Sequence, residues 1–183
     1  KIKNISLSIV DDLMANKVIG IMFGKMEFGP RALCNRSIIY KTSDKSINDW
    51  LNKRMKRTEF MPFAPIIREE TAKKVLKNFD IKDQSLRHMT STINCKDIFS
   101  KKSPAVCHID KTARPQIIIK EENPIIWELL KCWEDKTEEF SLVNTSFNVH
   151  EEPIVCYSSD ALKNLDNKVI DCLYIDDYKI VKK

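Results

Sequence analysis

Four polar islands interrupt otherwise apolar stretches of this 183-residue sequence: EFGPRALCNRS (27–37), NKRMKRTEF (52–60), HIDKTAR (108–114) and NTSFN (144–148). Their cations are Arg31, Arg36, Lys53, Arg54, Lys56, Arg57 and Arg114. Arginine presents a planar fork of N–H donors that matches phosphate or carboxylate oxygens, and lysine adds a mobile point charge for the same oxygens. If the islands converge, they form a pocket for a polyanion such as a nucleoside triphosphate. Lys53 and Arg54 read instead as a solvated helix face. Lys56 and Arg57 border the following loop, where a binding role and a solvated one are both open. Asn144, Ser146 and Asn148 alternate, so an extended backbone turns them to one side, where they could hold phosphate oxygens or a planar amide. Backbone N–H groups of that turn could add a small anion nest. The competing reading is an ordinary Asn/Ser-rich turn. His108 and Asp110 fall on one face of an expected strand and could orient a substrate or move a proton, with a purely structural His108 as the competitor. His88 and His150 share no ligand spacing with it, so no metal site is expected in this chain.

The elements that carry these islands follow from periodicity. Ile5, Ile9 and Leu13 predict a helix over 5–15. VIGIMFGKMEF turns β-like, with Gly20 and Gly24 allowing close backbone approach, and SIIYKT reads as the returning strand. Ser43 or Asp44 is placed to cap a helix with Ile47, Trp50, Leu51 and Met55 on one face. MPFAPII, with two prolines, is expected to be irregular or an edge. A helix is expected over Glu69–Phe79, a loop or lid over 80–103, strands in PAVCHID and PQIIIK around KTAR, and a helix in NPIIWELLKCWED. FSLVNTSFNVHEEPIVC reads as strand, polar turn, strand; Ser158 or Ser159 as the cap of a short helix; CLYIDDYKIVK as a closing hairpin turning near Asp176 and Asp177. Alternating strands and helices make an α/β or α+β sheet domain, with each island at an element's end, where such domains place ligands.

Length and composition bound the rest. A chain of 183 residues, 43% hydrophobic, suits one domain with a real core and excludes disorder. The net charge of +5 is mild, without the basic bias and interleaved aromatics of a dedicated nucleic-acid binder. It suffices for an anionic small molecule if the cations converge. The six cysteines form no CxxC pair, so a zinc ribbon or redox motif is not supported, and buried reduced thiols of a cytoplasmic protein are expected. No apolar run is long enough to span a membrane. The opening KIKNIS, without Met or a signal peptide, leads us to expect a domain of a longer protein.

In order, GKMEFGPRALCNRS, LNKRMKRTEFMPFAP, PAVCHIDKTARPQ and LVNTSFNVHEEPIV resemble the C-terminal domain of the NodU/CmcH-type O-carbamoyltransferases, from about Val18 to Val155. The resemblance implies a single YrdC-like domain over 1–183, α/β (α+β), a twisted mixed sheet flanked by helices. It implies a partner outside this chain, an N-terminal domain of ATPase-type fold that holds iron and completes the transfer. This chain's implied task is to take carbamoyl phosphate and ATP, with Mg2+ arriving on the ATP, and to form carbamoyl-adenylate for carbamoylating a hydroxyl on a sugar or secondary metabolite. Lys56, Arg114 and Ser146 are then expected to be catalytic. Arg31, Arg36, Arg57, His108, Asp110, Thr112, Asn144 and Asn148 are expected to bind substrate and nucleotide. Both substrates are anionic, so cations must screen them, and a dry pocket would protect a short-lived carbamate until it attacks the α-phosphate. SFN (146–148) also resembles the SxN motif of YrdC-like proteins, some of which make threonylcarbamoyl-adenylate.

The sequence departs from the family's usual pattern at four places. Cys34, Lys111 and Glu151 stand where glycine is usual, and Met61 where many members have arginine. A side chain in place of glycine calls for φ below zero or a permissive turn. Two other readings compete. One is a threonylcarbamoyl-adenylate synthase, which GPRAL and PFAP argue against; the other is a noncatalytic YrdC-like module for RNA binding or docking. Small-molecule substrates are expected and nucleic acid is not; a homodimer is left open.

Overall fold

The computed structural model describes residues 1–58 and 61–182. In chain order the elements are α1 (Ile5–Met14), β1 (Ile19–Met22), β2 (Arg36–Lys41), α2 (Ile47–Arg54), β3 (Ala64–Arg68), α3 (Glu69–Val75), β4 (Ile93–Asn94), α4 (Asp97–Lys102), β5 (Thr112–Ala113), β6 (Gln116–Ile118), α5 (Pro124–Thr137), β7 (Leu142–Ser146), α6 (Ser158–Asp166), β8 (Cys172–Ile175) and β9 (Tyr178–Val181). Seven strands form one sheet in the order β6-β3-β7-β2-β1-β8-β9, and β4 pairs with β5 apart from it. The large sheet is mixed: β3–β6 and β1–β8 are parallel, the other pairs antiparallel.

The sheet separates two apolar layers. Alternation along β1 sends Ile19 and Ile21 to the layer built with Ile9 and Leu13 of α1 and Ile126, Leu130 and Trp133 of α5. Met22 joins the other layer, with Leu51 of α2, Val75 of α3, Phe99 of α4 and Leu165 of α6. Helix starts follow local chemistry. Asn4 accepts from Leu7 N–H at 2.9 Å, and Asn123 accepts from Ile126 N–H just ahead of Pro124. Gly20 is where the second layer comes closest: a Cβ there would lie 2.7 Å from both Ile170 Cδ1 and Phe147 Cζ.

Several expected elements differ. MPFAPII is no edge: β3 is flanked by β6 and β7. Pro65 is tolerated because it precedes the first β3–β6 pair, Ile66 with Gln116, and so meets a partner strand only at Val143. α3 stops at Val75 rather than Phe79, because Leu76 turns extended and bridges Cys95. Residues 80–103 are not a structureless lid: they contain β4 and α4 and bury Leu86, Met89, Cys95 and Phe99. PAVCHID is no strand; Pro104–Val106 is a single tight helical turn. After β7 the chain returns without a second strand, held by Val155 N–H donating to the Phe147 carbonyl at 2.9 Å. The helix after Ser43–Asp44 begins at Ile47, with Asp44 accepting from Ser46 N–H, and Tyr157 takes the N-cap position expected of Ser158 or Ser159.

Candidate functional site

The loop between β1 and β2 is held by two charged side chains that do not pair with each other. Glu27 Oε1 accepts from three backbone N–H groups, Leu33 and Asn35 at 2.7 Å and Arg36 at 3.0 Å. The Arg36 guanidinium, 8% exposed, donates to the carbonyls of Phe23, Asn35 and Gly24. One ion thus gathers donors and the other gathers acceptors of the same loop. Gly29, at φ 115, lets the chain reverse between them. The loop so fixed presents Pro30, Arg31 and Ala32.

The end of α2 delivers a second cation. Lys56 N–H donates to the Lys53 carbonyl and Arg57 N–H to the Asn52 carbonyl, with Lys56 left-handed at φ 57. This is a Schellman turn with lysine at the position glycine usually takes. It leaves Lys56 exposed and brings Arg57 inward. Arg57 donates to Thr145 Oγ1 at 2.8 Å and lies over the Phe63 ring, 5.4 Å from its centroid. Arg114 follows β5, and β7 contributes Asn144, Thr145 and Ser146.

These pieces enclose a cavity of about 190 Å³ lined by Arg31, Arg57, Arg114, Asn144, Thr145 and Ser146, with Met61, Phe63 and Met89 among the apolar walls. Among the described residues no carboxylate lines it, and none of the three arginines forms an ion pair within 4.0 Å. Burial pushes the Arg57 guanidinium below its ordinary pKa; burial, with the neighbouring charge of Arg31, does the same to Arg114. The site is therefore a half-buried concentration of positive charge that no anion among the described residues meets. Asn144 braces it from below: its Nδ2 donates to Gln116 Oε1 at 2.7 Å and to the Ala32 carbonyl at 3.0 Å, while its Oδ1 is buried without a partner among the described residues.

The expected site residues divide accordingly. Arg31, Arg57, Arg114, Asn144 and Ser146 come together around the cavity. Lys56 does not line it, because the Schellman turn points the chain so that its neighbour does. Arg36 is occupied with backbone carbonyls and is a brace. Asn148 lies beyond β7, where it accepts from Ser146 Oγ at 2.7 Å and donates to the Glu152 carbonyl. His108, Asp110 and Thr112 are not a strand face but a knot. His108 Nδ1 meets Thr112 Oγ1 at 2.9 Å, and Asp110 accepts from the Thr112 N–H and hydroxyl, bonds that hold its carboxyl below the usual range. His108 and Asp110 instead line an adjoining cavity that shares Pro62 and Phe63 with the first. Among the described residues no group of three or more His, Cys, Asp or Glu is placed to hold a metal ion.

Sequence reading passed over Thr145 and Glu27. Thr145 alternates with Asn144 and Ser146 along the strand, and its bond to Arg57 at the cavity reveals it. Glu27 had a signal, a carboxylate opening a Gly-Pro loop rich in unpaired N–H groups. The usual glycine positions also have a common answer: Cys34, Lys111 and Glu151 sit at φ 77, 62 and 66, so all three adopt the left-handed backbone that glycine favours, not φ below zero.

The profile of the family described as carbamoyltransferase C-terminus matches residues 10–182. The chain belongs to this family. An uncharacterized protein of Methanocaldococcus jannaschii is 37% identical, covering 91% of this chain and 27% of that protein. Nodulation protein NolO of Bradyrhizobium diazoefficiens is 35% identical over 94% of this chain and 32% of its own length. The 3'-hydroxymethylcephem-O-carbamoyltransferase of Amycolatopsis lactamdurans is 28% identical over 90% of this chain and 31% of its own. This member of the carbamoyltransferase family therefore spans about a third or less of the curated relatives it matches. Among solved structures, full-length HypF in a phosphate- and nucleotide-bound form superposes at TM-score 0.67 and 20% identity over 96% of this chain and 25% of that one. A double variant of Sua5 from P. abyssi superposes at 0.62 and 11%, over 94% and 46%. The architecture is the YrdC-like one, a mixed sheet flanked by helices. No helix among the described residues is long and apolar enough to cross a membrane.

Proposed function

We propose that this domain binds carbamoyl phosphate and ATP and joins them into carbamoyl-adenylate, as the activating part of an O-carbamoyltransferase whose transfer domain lies outside this chain. The observation that carries the reading is the cavity of Arg31, Arg57 and Arg114, three guanidinium groups with no carboxylate among its described walls. Such a cluster is stabilised by a bound polyanion, and most by the charge that develops during phosphoryl chemistry. Arg31, Arg57 and Arg114 hold the phosphate oxygens. Ser146 Oγ, at the cavity wall, turns its hydroxyl from Asn148 Oδ1 to an oxygen of the bound anion, and Asn144 holds that wall through Gln116 and the Ala32 carbonyl. Water cleaves carbamoyl phosphate to carbamate and phosphate; a carbamate oxygen then attacks the α-phosphorus of ATP, and pyrophosphate leaves. Lys56, exposed and next to Arg57 in the chain, would add a mobile charge for the same oxygens. Mg2+ arriving with ATP would be carried by phosphate oxygens and water, since no carboxylate among the described residues lines the cavity. The final acceptor, a hydroxyl of a sugar or secondary metabolite, binds the transfer domain in this reading.

The test is to incubate the chain with ATP, carbamoyl phosphate and Mg2+ and to follow pyrophosphate and carbamoyl-adenylate. Product is expected. Product from bicarbonate and threonine instead would establish a threonylcarbamoyl-adenylate synthase. Neither product nor nucleotide binding would leave a noncatalytic docking module.

A further inference from the structure

Arg31 and Arg114 are like charges that the fold keeps together. Burial lowers the Arg114 pKa first, and the charge of Arg31 lowers it further. Without an anion between them the two groups repel each other. They also stand on different segments, Arg31 on the β1–β2 loop and Arg114 between β5 and β6. A cavity that is ready for a polyanion before one arrives needs a tie between those segments.

One side chain makes that tie. Gln116, the first residue of β6, is 5% exposed and is not among the residues that line the arginine cavity. Its Nε2 donates to the Leu33 carbonyl at 3.2 Å, and its Oε1 accepts from the Cys34 thiol at 3.3 Å. Among the described residues, these are the hydrogen bonds that run directly between residues 27–35 and residues 112–118. The same Oε1 accepts from Asn144 Nδ2 at 2.7 Å, and that Nδ2 also donates to the carbonyl of Ala32, the neighbour of Arg31. Gln116 must reach across β3 to meet Asn144 of β7. Ala64 is in register with Asn144 and shares the face of Ile66, the partner of Gln116, so a small side chain leaves room for the crossing. Cys34 strengthens the tie, since a glycine at its position has no side-chain atom to donate. Burial pushes its thiol well above the ordinary pKa, so the thiol keeps the proton it donates.

We propose that Gln116 is a positioning residue of the arginine cavity: it holds the Arg31 loop to the strand that follows Arg114, so that both guanidinium groups face one polyanion before it binds. The proposal rests on the reading of the cavity as a phosphate site. With the tie gone, part of the binding energy would go into bringing two repelling cations together again.

The test is a double-mutant cycle, read by calorimetry with inorganic pyrophosphate as the probe and with thermal midpoints as the check of folding. Arg31→Ala is expected to weaken pyrophosphate binding about tenfold, the scale of one charge-assisted bond. Gln116→Met, close in volume but without the hydrogen bonds, is expected to weaken it about tenfold in the wild-type background and not at all in the Arg31→Ala background. A residue that merely supports the cavity would cost the same in both backgrounds, and that result overturns the positioning role while leaving the phosphate reading intact. Wild-type affinity in Gln116→Met overturns it as well. Should Gln116→Met not fold, Gln116→Asn carries the same cycle with the same criteria, because it keeps an amide but falls one methylene short of Leu33 and Asn144. Absence of pyrophosphate binding to the wild-type chain overturns the phosphate reading and the positioning role with it.

Discussion

Two clusters of charge in this domain are built in opposite ways. On α1, Asp12 is 5% exposed, yet every charge around it is answered. It meets Lys179 Nζ at 2.6 Å and Lys17 Nζ at 2.9 Å and accepts from the Tyr174 hydroxyl at 2.6 Å. At the cavity, Arg31, Arg57 and Arg114 meet no carboxylate among the described residues. A closed cluster has spent its electrostatic attraction on the fold, whereas an open one keeps it for a ligand. Substitutions should therefore separate the two, one acting on stability and the other on chemistry.

The largest effect is expected at the open cluster. Arg114→Ala should lower carbamoyl-adenylate formation by about 10²–10³-fold, the scale of removing one preorganised donor from a transition state. Its thermal midpoint should hold or rise, because the repulsion from Arg31 is relieved. Wild-type turnover in this variant would erase the distinction between the clusters. Asp12→Ala should do the reverse, losing about 3 kcal/mol in urea unfolding by leaving two lysines facing a buried tyrosine, with phosphate affinity at the cavity unchanged. Acid titration sharpens the same contrast. Burial opposes ionisation of Asp12, but the bonds from Lys179, Tyr174 and Lys17 outweigh it and hold its carboxyl at about 2, down from 3.8. A carboxyl depressed in the folded state adds stability that is complete above pH 4 and lost as pH falls toward 2. That loss should amount to about 2 kcal/mol in urea midpoints and be absent in Asp12→Asn. The smallest effect concerns backbone strain beside the open cluster. Lys111→Gly relieves a left-handed residue at φ 62 but frees the unfolded chain, for a net gain of about 0.5 kcal/mol. The exposed Lys111–Asp97 pair it removes should contribute little, and a loss of stability would mean that this pair outweighs the strain.

The parts of the fold legible in sequence are those set by near neighbours. Ile9 and Leu13 marked α1, Asn123–Pro124 marked the start of α5, and the β1–β2 and β8–β9 hairpins showed in their alternation. Elements decided by distant partners were not legible. Pro65 argued against an internal strand, and only the late start of β6 makes one possible. Leu76 belonged to the helix by periodicity until Cys95 drew it into a bridge. The islands were visible as polar interruptions, but which side chains share a cavity depends on sheet order. Arg31 and Arg114 lie 83 positions apart and meet only because β3 and β7 bring their loops together. Between Lys56 and Arg57 the decision rests on one left-handed residue without a glycine to announce it. Arg36 carried the same charge as Arg31, and nothing local showed that backbone carbonyls would claim it.

The three N–H groups that converge on Glu27 Oε1 also limit what the surrounding loop can become. Surface loops usually accept added residues readily. Here the donors come from Leu33, Asn35 and Arg36, so an insertion anywhere between Phe28 and Cys34 changes the path to a single acceptor atom and disturbs several bonds together. In a scan of single-residue insertions, this segment, exposed at residues 28–30, should behave like the interior of a helix, while the Asp176–Asp177 turn should accept them.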